Sequence, residues 1–300
     1  DLIGGLVIIT AGLTNAYITF DVVDDTDWEF EFESVIISLG APSGAVAGTF
    51  MTHEVIINDT TPPPATAITC TTGDLSTTCY IDEQINLNDG DIITGSGSLV
   101  VQGSGLIKTQ KEETASIVMD GDITIEWGGK IEGNYSAISG ENIEIKNGAK
   151  ISANGYGFAG ANTADTAGDG PGGLVGYGAA HGGQGGTKLP LANVSYGYNT
   201  NTYGSETKPL TMGSGGSDIG GYDGGDGGGA IRISANNLLT INGDITANGF
   251  DGMCNCGHNP VYAGGGAGGS VYITALDIAG NGDIFAIGGD SQSTAIVGGG

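Results

Sequence analysis

Basic residues are scarce. The 300-residue chain carries 8 Lys and Arg against 34 Asp and Glu, a formal net charge of −26 with a pI near 4.1. Such a polyanion cannot neutralise a phosphate backbone or dock on an anionic lipid surface, so nucleic acid and membrane are excluded as partners. The first 107 residues hold 15 acids and no Lys or Arg at all. A surface of that kind repels itself at low salt and is favoured by high ionic strength or divalent cations. Helical periodicity is missing: no stretch repeats at 3.6 residues over three turns. Long apolar runs are missing too. Leu2–Leu13 has the look of a signal-peptide core, but 12 residues are too few to cross a bilayer as a helix. Histidine is limited to His53, His181 and His258, with no order that suggests a nucleophile–base pair, so each reads as a surface or turn residue.

Glycine is abundant: 59 residues, without the strict triplet of collagen. Only seven precede residue 80. Residues 1–79 read as a small antiparallel β domain. Trp28-Glu29-Phe30-Glu31-Phe32-Glu33 alternates aromatic and acid as a half-buried strand does, and Tyr17–Phe20 and Val55–Ile57 are β-rich. Thr60-Thr61-Pro62-Pro63-Pro64 makes a stiff extended linker or edge. The start of the chain, residues 1–14, uncharged after Asp1, is either the first strand of its own domain or a donor strand for a neighbouring copy.

From residue 80 the chain becomes repetitive. Ile123-Thr124-Ile125, Ile143-Glu144-Ile145, Ile231-Arg232-Ile233, Leu239-Thr240-Ile241 and Val271-Tyr272-Ile273 each place two aliphatic side chains on one face and one residue on the other. Gly128–Ile131 matches Gly148–Ile151 at an offset of 20, and Gly229–Ala235 matches Gly269–Ala275 at 40. Short strands at a period near 20, separated by Gly, Asn and Asp, predict a parallel right-handed β-solenoid over 80–300, in which one coil cannot bury its own apolar face but a stack can. The fold class expected is therefore all-β, a small N-terminal antiparallel domain followed by a Gly-rich solenoid. Residues 168–229, with 22 glycines, form either a long insertion or extended poly-Gly strands packed on each other. The ending Ile296-Val297-Gly298-Gly299-Gly300 points to a fragment that stops inside a Gly-rich pattern.

Candidate sites are few. Cys70, Cys79, Cys254 and Cys256 form an even set; Cys70 and Cys79 close a short loop and are the preferred disulfide, while Cys254 and Cys256 can pair despite the strain of a small ring. Cys254-Asn255-Cys256-Gly257-His258 fits a disulfide better than zinc, which needs ligands at wider spacing. Asn58, Asn134 and Asn193 head Asn-x-Ser/Thr sequons and are glycan acceptors in a secreted setting. Arg232, the sole Arg, lies between two inward aliphatics and points out of a strand as a surface residue. Asn86–Asp91 and Asp223–Asp226 put oxygens on tight turns and are compatible with structural Ca²⁺, although neither matches a known calcium loop. No cofactor is required, and no set of residues reads as catalytic.

Gly227-Gly228-Gly229-Ala230-Ile231-Arg232-Ile233, Leu239–Gly249 and Gly264–Ile273, with Tyr203-Gly204-Ser205, Pro209 and Gly213-Ser214-Gly215-Gly216 upstream, resemble the Gly-rich surface proteins of protists. These include the tubular hair (mastigoneme) subunits of stramenopile flagella, and Gly-rich bacterial surface proteins carry related runs. The resemblance covers about residues 120–300 and leaves 1–79 unmatched. It implies a secreted structural protein on a parallel β-helix, often in a filament or surface layer, with no catalytic residues to carry over. The function expected is an extracellular, self-assembling structural subunit, glycosylated and disulfide-bonded, whose partner is itself. A glycan-binding adhesin and a polysaccharide-acting β-helix enzyme are the alternatives.

Overall fold

The computed structural model describes residue 8 and residues 33–38, 52–57, 68–186, 198–255 and 261–291. The chain divides into two units, Asp1–Pro63 and Pro64–Gly300. The division falls inside the triple proline, which has no N–H to continue a ladder, and not at residue 79. In the first unit β1 (Glu33–Ser38) and β2 (Thr52–Ile57) pair antiparallel, Glu33 opposite Ile57 and Ser38 opposite Thr52. The candidate donor segment 1–14, apart from Ile8, lies outside the described residues.

In the second unit short strands arrive in groups of three. They are β3 (Thr78–Ile81), β4 (Gln84–Asn86) and β5 (Ile92–Gly95); then β6 (Ser98–Val101), β7 (Leu106–Lys108) and β8 (Thr114–Met119); then β9 (Ile123–Ile125), β10 (Lys130–Glu132) and β11 (Asn134–Gly140). After β12 (Ile143–Ile145) and β13 (Lys150–Ser152) comes a long Gly-rich segment. The chain then returns as β14 (Ala230–Ile241) and β15 (Asp244–Thr246). A small antiparallel pair follows, β16 (Cys254–Asn255) with β17 (Val261–Tyr262), and finally β18 (Ser270–Gly280) and β19 (Asp283–Phe285).

Every other pairing between named strands among the described residues of this unit is parallel. One six-stranded sheet runs β4-β7-β10-β13-β15-β19; a nine-stranded sheet runs β3-β6-β9-β12-β14-β11-β8-β5, with β18 on β14. The described part is all strand and no helix, and the parallel sheets curl into a half-barrel. Equivalent residues stack. Ile85, Ile107, Ile131, Ile151, Ile245 and Ile284 are register partners in succession. So are Cys79, Leu99, Ile123, Ile143, Leu239 and Ile278. β-branched Ile suits a pleated surface, and stacking it at the strand spacing of about 4.8 Å makes one continuous buried column. Corners turn on left-handed glycines such as Gly128 (φ +83°) and Gly148 (φ +76°), conformations that L side chains rarely adopt.

The Gly-rich segment is ordered by a different rule. Four extended runs, 157–161, 213–217, 224–228 and 264–268, lie side by side. The N–H groups of Gly213 and Gly216 bond Gly228 and Gly225; the carbonyls of the same two residues accept from Phe158 and Ala161; those of Ser214 and Ser217 accept from Ala267 and Gly264. Partners thus repeat every third residue in three directions, as a chain with three residues per turn requires. The segment is thus both an insertion between β13 and β14 and, in its described residues, a set of extended Gly runs packed on one another. Packing is close enough that a methyl on Gly227 would be driven into the Gly213 carbonyl, whereas one on Gly182 would meet nothing within 4 Å.

Gly227→Ala is therefore expected to destabilise the chain by about 1–3 kcal/mol through overpacking, and Gly182→Ala by no more than about 0.5 kcal/mol. Chemical denaturation of the two variants side by side tests this; equal effects would contradict the close-packed arrangement.

Candidate assembly interface

The last rung of the ladders is uncovered. β18 pairs only with β14 and β19 only with β15 among the described residues. Each interior rung is covered on both sides, and the consequence is visible at register-equivalent positions. Leu239 is 0% exposed, but its partner Ile278 is 61% exposed; Ile245 is 0% exposed, but its partner Ile284 is 47%. Leu276, Phe285 and Ile287 are exposed in the same rung. Ile278 and Ile284 stand at core register positions, placed where no further described strand lies over them.

The first rung is treated differently. Thr71 donates to the Tyr80 carbonyl (2.8 Å) and Tyr80 to that of Thr72 (2.9 Å), so residues 71–72 lie antiparallel on β3. The Cys70–Cys79 disulfide, as expected, staples this short segment to the strand. Ile68, Cys70 and Leu75 pack on the core beside it. The outer edge of β4 pairs with no other strand among the described residues; there Ile68, Ile81, Ile85 and Leu87 line an open groove of about 410 Å³. Among the described residues the six-stranded sheet therefore has an unpaired parallel edge at each end, β4 and β19.

The remaining expected sites resolve as follows. Asn58, Asn193, Cys256 and His258 lie outside the described residues; Cys254 is disulfide-bonded. Asn134 is not a sugar acceptor in this fold. It is 1% exposed, its Nδ2 donates to the carbonyls of Glu113 (3.2 Å) and Tyr156 (2.9 Å), and its Oδ1 accepts from the Ala230 N–H (3.0 Å). Its role is to clamp the start of β14 to β11, which no sequon search signals. The turn carboxylates are also engaged: Asp91 accepts from the backbone N–H (2.7 Å) and amide of Asn88, Asp89 from the Thr114 N–H (2.8 Å), and Asp226 from Gly160 (2.8 Å) and Lys111 (2.5 Å). No group of three or more His, Cys, Asp or Glu gathers among the described residues. Arg232 sits beside the Tyr272 ring, 5.8 Å from its centre, across the β14–β18 pairing.

His181 is a structural member of the Gly-rich bundle. Its Nδ1 lies 2.8 Å from the Gly268 carbonyl and its Nε2 2.8 Å from the Thr211 hydroxyl, with the Tyr203 ring 4.6 Å away. Burial holds its pKa below the ordinary 6.5, against the opposing pull of the Gly268 carbonyl.

No family model, curated protein or solved structure matches the chain. Among the described residues no helix is long and apolar enough to cross a membrane.

The His181 environment sets a pH dependence. The unfolded chain takes up the proton first, so the contribution of neutral His181 is complete above about pH 6.5 and is lost as pH falls through its lowered folded value. Thermal midpoints are expected to drop between pH 7 and pH 5, and less steeply in His181→Gln. An identical slope in the variant would contradict the assignment.

Proposed function

We propose that the chain is an extracellular structural subunit that associates with further copies of itself into a filament or cell-surface appendage. In this reading the second unit is a right-handed β-solenoid whose coils are the strand triplets, and its ends are the contact surfaces. The observation that carries the reading is the uncovered last rung, where Ile278 and Ile284 are exposed although their register partners one rung earlier are fully buried. An open edge with an apolar row is an association site unless something covers it. Because the six-stranded sheet is parallel and has a free edge at both ends, one copy's β19 can meet another's β4 without reversing direction. A head-to-tail contact of this kind leaves an unused end at each step and propagates a filament. The apolar segment 1–14 is the other candidate occupant, as a donor strand. Extracellular placement rests on the disulfides, which persist in oxidising surroundings, and on the resemblance of residues 120–300 to Gly-rich surface proteins. The strong net charge accords with growth at high ionic strength or with divalent cations.

Sedimentation and negative-stain microscopy over a concentration series test the reading. The intact chain is expected to form regular fibres, and Ile278→Glu with Ile284→Glu to remain monomeric with a thermal midpoint little changed, since about half of each side chain is already in water. Removal of residues 1–14 separates the two routes: loss of fibres assigns the contact to the donor strand, and retention assigns it to the β4 and β19 edges. A chain that stays monomeric at high concentration and high salt would overturn the proposal.

A further inference from the structure

We infer that the outer face of the six-stranded ladder, with Trp127 at its corner, binds an anionic polysaccharide. Lys108, Lys130 and Lys150 are borne by three successive strands of this sheet, β7, β10 and β13. Lys130 and Lys150 are direct register partners, about 4.8 Å apart along the ladder. Like charges placed side by side on a sheet destabilise it, and this chain has more than four carboxylates for each cation from which to choose a partner. Yet the ion pairs among the described residues use Lys111, Lys146 and, at 4.0 Å only, Lys130 with Glu132. Lys108 and Lys150 have none. The acids on the face are Glu132, in register with Lys108, Asp244, in register with Lys150, and Asp283, in register with Asp244 one strand further on, so the positive step is the Lys130–Lys150 pair itself.

Trp127 stands three residues before Lys130 and is 74% exposed. Its ring lies over Gly148, two residues before Lys150; a Cβ on Gly148 would strike the indole at Cδ1 and Nε1. The ring is thus seated on a bare corner beside both lysines. An indole face open to water together with neighbouring ammonium groups matches a sugar ring that offers C–H groups to the aromatic face and a carboxylate or sulfate to the lysines. An acidic peptide fits less well: β7, β10 and β13 are paired on both edges, so strand addition is unavailable here. Repulsion from the rest of the acidic surface is screened beyond about 8 Å at physiological ionic strength, while contact charges still act.

Affinity electrophoresis and calorimetry of the dilute, intact chain test this, with polygalacturonate and dextran sulfate as anionic probes and dextran as the neutral control. At least one anionic polymer is expected to bind and dextran not to. Lys130→Gln with Lys150→Gln, and separately Trp127→Ala, should each weaken binding by about tenfold or more, with the thermal midpoint of the double Gln variant equal or raised by relief of the like-charge contact and Lys208→Gln without effect on binding. Added salt should weaken binding progressively. Failure of both anionic polymers to bind, or binding that both sets of variants leave unaltered, overturns the inference. Either outcome is independent of self-association, which is read separately on the same preparations.

Discussion

Each row of aliphatic side chains in the second unit is stacked on the next row, within one core that the two parallel sheets share. Fully burying an Ile is worth about 1.5–3 kcal/mol, and Ile107, Ile131, Ile151 and Ile245 reach that state because each has a register partner on both sides. No rung satisfies itself. The arrangement is therefore stable in its middle and unsatisfied at its ends, and the two ends are handled differently. At the first, residues 71–72 and a disulfide close the edge of β3; at the last, Leu276, Ile278, Ile284, Phe285 and Ile287 face water.

The Gly-rich bundle answers a different problem. Between β13 and β14 the chain inserts more than seventy residues and must come back into register, so that Ile245 stacks on Ile151. Glycine makes this possible without an apolar core. Runs with no side chain approach until each carbonyl meets a neighbour's N–H or lies where a neighbour's Cβ would otherwise be. The second kind of contact leaves a Cα hydrogen facing the carbonyl, a weak but cumulative attraction. Side chains enter this lattice only as fasteners: Asn199 gives its amide to the carbonyls of Gly172 (2.7 Å) and Gly178 (3.0 Å), and Ser214 accepts from the Gly172 N–H (2.8 Å). Asn134 does the same work at the junction with the parallel sheets.

Much of this was legible in the residues. The Ile-x-Ile triplets and the offset of 20 between Gly128–Ile131 and Gly148–Ile151 correspond directly to the pairing of β10 with β13. The offset of 40 between Gly229–Ala235 and Gly269–Ala275 is the pairing of β14 with β18. The Cys70–Cys79 pair followed from loop length. Other features were hidden for physical reasons. Residues 68–79 carry few glycines and so resembled the first unit, although their hydrogen bonds belong to the second. The sequon at Asn134 is a local pattern, while the burial of its amide depends on Tyr156 and Ala230, 22 and 96 residues away. The exposure of the last rung is invisible in composition, because Ile278 and Leu239 are alike as residues and differ only in what lies above them.

The proposed function follows from that asymmetry: the last described rung has the chemistry of an interior one and stands exposed, and in that proposal another copy of the chain covers it. Residue-resolved hydrogen exchange tests this most directly. In dilute solution the amides of β14 and β15 should be protected and those of β18 and β19 that point away from β14 and β15 should exchange fast, with these outward amides gaining protection as concentration rises and fibres form. Protection of these outward amides equal to that of β14 and β15 in the dilute monomer, or no gain at any concentration, would contradict the account.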